Sequence, residues 1–167
     1  FFLNFFFALI EIAGGIYTNS VSILSDAIHD LGDSISLGTA WYFQHISTKK
    51  SNQKYTYGYK RFSILGALIT SIVLIIGSVI ILSEAIPRIF HPQIAHAKGM
   101  IVLAIIGILI NGAAMFKLRK GDSLNEKVVS LHFLEDVLGW VAVLVGAIIM
   151  YFFNFPIIDP ILSIAIA

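Results

Sequence analysis

His29-Asp-Leu-Gly-Asp33 lies inside a long apolar run, and the pattern returns as His132-Phe-Leu-Glu-Asp136 inside another. A His and an Asp four residues apart share one helix face, because the α-helix turns once in about 3.6 residues. Two such helices set side by side bring two imidazoles and two carboxylates to one point. That is a tetrahedral donor set of the kind Zn²⁺ accepts. Ionisable side chains are costly in hydrocarbon and mark ion pathways there. The paired motif reads as a metal-transport signal carried by membrane helices.

Composition supports the membrane reading. The chain is 57% hydrophobic and 13% charged over 167 residues, with a mean hydropathy of +0.88; a soluble domain carries about 25% charged residues. The apolar runs reach the roughly 20 residues that a helix needs to cross a bilayer. They lack the alternation of a membrane β-barrel. The expected class is an all-α, multi-pass integral membrane protein in a lipid bilayer, with no room for a separate soluble domain. Cysteine is absent, which excludes disulfides, thiolate metal sites and c-type haem attachment. The chain opens on Phe1-Phe-Leu-Asn-Phe-Phe-Phe without a basic leader, so no cleavable signal peptide is expected. It stops at Ala167 in mid-run, and both ends read as cut from a longer protein.

Six membrane segments are expected, at about residues 1–17, 21–44, 62–86, 98–118, 125–153 and 157–167, the last incomplete. Thr18-Asn19-Ser20 makes the first turn, Pro87 ends the third segment, and Pro156 precedes the sixth. Lys49, Lys50, Lys54, Lys60 and Arg61 lie between segments two and three, and Lys117, Arg119, Lys120 and Lys127 between four and five. The opposite side has Arg88 and Lys98. Basic residues collect on the cytoplasmic side, which places both basic loops and the N-terminus there. Segments two and five then run antiparallel, with His29 level with Asp136 and Asp33 level with His132.

These residues resemble the cation diffusion facilitator family of divalent-metal efflux transporters. Ser22-Ile-Leu-Ser-Asp-Ala-Ile-His-Asp-Leu-Gly-Asp33 is similar to the family's second-helix signature, and Tyr55-Thr-Tyr-Gly-Tyr-Lys-Arg61 to the lead into its third helix. Arg88-Ile-Phe-His-Pro92 resembles the end of that helix and Asp159-Pro160 the start of the sixth. The resemblance implies a six-helix transporter domain, usually homodimeric, exporting zinc from the cytoplasm in exchange for protons by alternating access. Its transport site maps onto His29, Asp33, His132 and Asp136; His at both leading positions goes with zinc selectivity in the family. A cytoplasmic C-terminal domain, usual in the family, has no counterpart in these residues. The loop between segments four and five holds no His, and that between two and three has His45 alone, so no second metal site is expected in either. The implied location is a bacterial inner membrane.

The donor chemistry agrees with that implication. Two nitrogens with two carboxylate oxygens suit Zn²⁺ better than an all-oxygen set, and the two negative charges balance the ion's two positive ones. Lack of thiolate favours a site that can release its cargo. Metal must displace protons from the same lone pairs, which couples the two species. Zn²⁺ enters as transported substrate, and neither an organic cofactor, nor nucleic acid, nor enzymatic chemistry is expected.

Other polar groups have plainer readings beside functional ones. Asp26 and Asp30 fall nearly on the stripe of His29 and Asp33, and could guide the ion, orient an imidazole, or line a wet vestibule. Glu135 falls about 100° from Asp136 around its helix and is expected to line water or meet a basic group. Glu11 and Asn111 are expected to bond across helices, with Asn111 also a candidate for the pathway. His91 and His96 read as solvated surface residues. Asp159 before Pro160 reads as a helix N-cap. Three alternatives compete: a carrier of wider range (Zn, Cd, Co, Fe), a passive cation channel, and a membrane protein with haem between His29 and His132.

Overall fold

The computed structural model describes residues 2–47, 61–119 and 124–166. Lys49, Lys50, Lys54, Lys60 and Lys120, and Tyr55 to Lys60, fall outside the described residues. Within them, the regular elements are six α-helices: α1 (Phe2–Thr18), α2 (Val21–Ser47), α3 (Arg61–Phe90), α4 (Ala97–Arg119), α5 (Leu124–Phe153) and α6 (Ile158–Ile166).

Hydrophobic length separates these helices. Ile64–Phe90, Ala97–Arg119 and Val129–Phe153 are each long and apolar enough to cross a membrane, and Asn4–Thr18 is a shorter apolar helix. Large side chains such as Ile75, Val79, Leu109 and Val145 point outward from them. Only backbone groups already bonded within helices can face lipid, and these helices meet that demand. The domain is an integral membrane protein. At 27 residues α2 is also long, but it carries Asp26, His29, Asp30 and Asp33. It packs against α1, α3 and α6, with Asp26 and Asp30 buried and His29 and Asp33 partly exposed.

Local chemistry sets the helix ends. Asn19 takes a left-handed φ of 52°, its N–H reaches the Ile16 carbonyl at 3.3 Å, and the Ser20 N–H reaches Gly15 at 3.0 Å. That pair of bonds is a Schellman cap, which needs a residue tolerant of positive φ. Asn154 closes α5 by the simpler αL cap, with φ 49° and its N–H on the Met150 carbonyl at 3.1 Å.

The third helix does not end at Pro87: it runs on to Phe90. Proline removes one N–H from the ladder, but the following turn is held by other bonds. The His91 N–H reaches the Pro87 carbonyl at 2.9 Å. Arg88 grips Glu84 Oε1 at 3.0 and 2.8 Å and the Asn19 carbonyl at 3.0 Å. Likewise α2 runs on to Ser47, so His45 sits in a helix rather than a loop, stacked 6.4 Å from Trp41.

The best-formed core joins α4 and α5. Met100, Ala104, Trp140, Val143, Ala147 and Met150 are buried together, with Phe7 and Ile23 closing the cluster. Gly107 lies against the Trp140 indole so closely that a Cβ would overlap the ring. In contrast, α2 and α5 touch over only a short stretch. The two His-x-x-x-Asp motifs face each other there.

Candidate metal site

Asp33 sits at the centre of the cluster. Its Oδ2 lies 3.6 Å from Nε2 of His29 on its own helix and 3.1 Å from Nε2 of His132 on α5. Nε2 of His132 is 3.9 Å from Asp136 Oδ2, and the two imidazole centroids are 6.4 Å apart. A tetrahedral zinc with bonds of about 2.0–2.1 Å separates its donors by about 3.3 Å. The three nitrogen–oxygen distances bracket that edge length. Among the described residues no group of three or more donors yet forms a closed ion cage. Coordination by all four would require these groups to draw together across the α2–α5 junction.

Exposure grades across the cluster. The His29 side chain is 38% exposed and Asp136 only 4%, so the site has an open edge and a buried floor. A half-open pocket of about 240 Å³ reaches it, lined by Asp26, His29, Glu135, Asp136, Gly139 and Ile166. That volume has room for several waters, enough for an ion that still keeps part of its hydration shell. Glu135 lines this pocket, on the rim rather than in the cluster.

The remaining sequence candidates divide. Asp26 is buried and lines the pocket beside His29 and Asp136. Asp30 is also buried, and its Oδ1 has no hydrogen-bond partner. Among the described residues the Asn111 bond stays within α4, its amide donating to the Gly107 carbonyl at 3.2 Å, and Asn111 is not among the residues lining this pocket. Glu11 was expected to find a cross-helix partner, and the Trp140 indole N–H of α5 is the donor beside its buried carboxylate, although the two do not complete a well-aligned hydrogen bond. His91 and His96 are exposed.

Asp159 departs most from expectation. It lies inside the first turn of α6, and its carboxylate caps a different helix. It accepts from the Ser20 and Ser22 hydroxyls and from the Val21 and Ser22 N–H groups, all at the start of α2. A sequence pattern of Asp before Pro points to its own helix; only the packing of α6 on α2 redirects it.

The chain has clear relatives. The family profile described as the cation efflux transmembrane domain matches residues 1–167. A cadmium, cobalt and zinc/H(+)-K(+) antiporter of Bacillus velezensis is 40% identical over 165 residues, covering 96% of this chain and 53% of its own. The zinc transporter ZitB of Pectobacterium atrosepticum is 35% identical over 164 residues, with coverages of 96% and 51%. The cation efflux system protein CzcD of Alcaligenes sp. is 36% identical over 162 residues, with coverages of 96% and 51%. The chain spans about half the length of these curated relatives. It belongs to the cation efflux family, the cation diffusion facilitators, and corresponds to that family's transmembrane domain.

Proposed function

We propose that this chain is the membrane domain of a divalent-cation exporter that prefers Zn²⁺ and exchanges it for protons by alternating access. His29, Asp33, His132 and Asp136 hold the ion, with Asp26 and Asp30 shaping its approach. The observation that carries this reading is Asp33 standing within 3.1 Å of His132 and 3.6 Å of His29. The same placement counts against haem, because a carboxylate occupies the space between the two Nε2 atoms where iron would sit. The domain is no enzyme in this reading: four protein ligands leave no open position for a reacting water. Six membrane-crossing helices, a cytoplasmic N-terminus, a homodimeric whole protein and a bacterial inner membrane belong to the same proposal.

Metal range is the open branch. The relatives' names include zinc alone and zinc with cadmium and cobalt. Two imidazoles favour Zn²⁺, but cadmium and cobalt accept nitrogen and oxygen donors as well. Selectivity then rests on how far the α2–α5 junction contracts.

The test is zinc binding to purified wild type and to Asp136→Ala, with pH followed in weak buffer. Stoichiometric binding that releases protons and vanishes in the variant supports both the site and its proton linkage. Acidification should weaken binding, because protons compete for the same nitrogens and oxygens. Unchanged binding in the variant would place the metal elsewhere and sink the reading.

A further inference from the structure

The Asp159 carboxylate, 2% exposed, serves α2 through four donors. Oδ1 accepts from the Ser20 and Ser22 hydroxyls at 2.6 Å each and from the Ser22 N–H at 3.2 Å; Oδ2 accepts from the Val21 N–H at 2.7 Å. The first N–H groups of a helix have no partner within it, and the helix start carries partial positive charge. An anion from α6 answers both needs. Nearer the site, the Ser25 hydroxyl donates to the Ser163 carbonyl at 3.2 Å, a second tie between the same helices.

The two helices are parallel from that clamp toward the metal cluster. At 1.5 Å per residue, His29 lies about 12 Å beyond Val21 on α2, and Ile166 about 10 Å beyond Asp159 on α6. They end at a common depth: both line the pocket that reaches the metal cluster. A tilt of about 5° at the clamp would move His29 by about 1 Å over that length. Metal–ligand distances are held to about 0.2 Å. The clamp therefore acts on the cluster through a short, stiff lever.

We propose that Asp159 is a positioning residue for metal binding. It fixes α6 to the outer end of α2, so that the two move as one body and present His29 and Asp33 at a set depth against α5. The inference rests on the four-residue metal site proposed above.

The experiment uses the full-length transporter in detergent, with zinc alone as probe, at a temperature where every variant is folded. Wild type, Asp136→Ala, Asp159→Asn and the Ser20→Ala/Ser22→Ala pair are compared for stoichiometry, Kd and unfolding midpoint. Asp159→Asn keeps the shape but turns one acceptor into an amide donor facing N–H groups. It should retain zinc stoichiometry and bind about tenfold more weakly. The serine pair, which keeps the carboxylate and covers the case of a misfolded Asp159→Asn, should shift Kd in the same direction by less. A lowered midpoint with wild-type Kd in both would make the clamp an ordinary cap and overturn the proposal. Loss of a zinc equivalent in Asp159→Asn would make Asp159 a ligand and overturn it differently. Asp136→Ala binding like wild type would instead strike the metal site itself, and the positioning role would fall with it.

Discussion

Two sets of buried acids occupy this domain, and they are treated in opposite ways. At the start of α2, Asp159 is 2% exposed and meets four donors. Deeper in the bundle, Glu11 and Asp30 are 1% and 2% exposed, yet among the described residues three of their four carboxylate oxygens complete no well-aligned hydrogen bond, the Trp140 indole being the donor beside Glu11. Burial is equal, and satisfaction is not. A buried polar group costs free energy unless it is bonded. The Asp159 carboxylate is therefore architecture, whereas the inner ones leave hydrogen-bonding capacity open. An ion path needs such unsaturated groups, because fully bonded acids have nothing to offer a passing cation.

Substitutions can break that contrast. The largest effect is expected at the cluster: Asp136→Ala should weaken zinc binding by about 100-fold or more, read by calorimetry. Next comes the start of α2, where Asp159→Ala strands two N–H groups and two hydroxyls; a loss of about 2–4 kcal/mol should appear in denaturant unfolding. Behind the site, Gly107→Ala forces a Cβ into the Trp140 ring and should cost about 1–3 kcal/mol, again by unfolding. Glu11→Gln should run the other way. Neutralising a buried acid that has only a poorly aligned donor beside it, the Trp140 indole, should leave stability unchanged or raise it by about 1 kcal/mol, while zinc transport falls in proteoliposomes. A destabilisation as large as that of Asp159→Ala would mean that Glu11 is architecture too, and the contrast would collapse. The smallest shift belongs to Glu84→Ala, which removes an exposed partner of Arg88 and should cost no more than about 1 kcal/mol.

Much of this was legible in the residues. The spacing of His29 with Asp33 and of His132 with Asp136 gives shared helix faces, and the antiparallel reading brings Asp33 beside His132. Asn19 in a Thr-Asn-Ser turn marks the end of α1 for a stated reason, its tolerance of positive φ. Pro87 misled, because a missing N–H was read as a stop when neighbouring bonds keep the turn. Asp159 misled more instructively. Local rules assign a capping carboxylate to the nearest helix start, and here the start it serves lies 138 residues away. Glu11 was readable as a group that bonds across helices, but Trp140 as the donor beside it was not, because that pairing exists only once α1 and α5 are packed together.

The short contact between α2 and α5 has a mechanical consequence. Where two helices meet mainly through donors that need an ion between them, the cargo is itself part of the mortar. If the proposed site binds its ion, loading would stiffen the α2–α5 junction and emptying would slacken it, so that occupancy would set the rigidity of the domain. Occupancy at 100 times Kd adds about 2.7 kcal/mol to the folded state. Thermal shift then becomes a direct ranking of cargoes, with the preferred ion the one that sets the joint hardest.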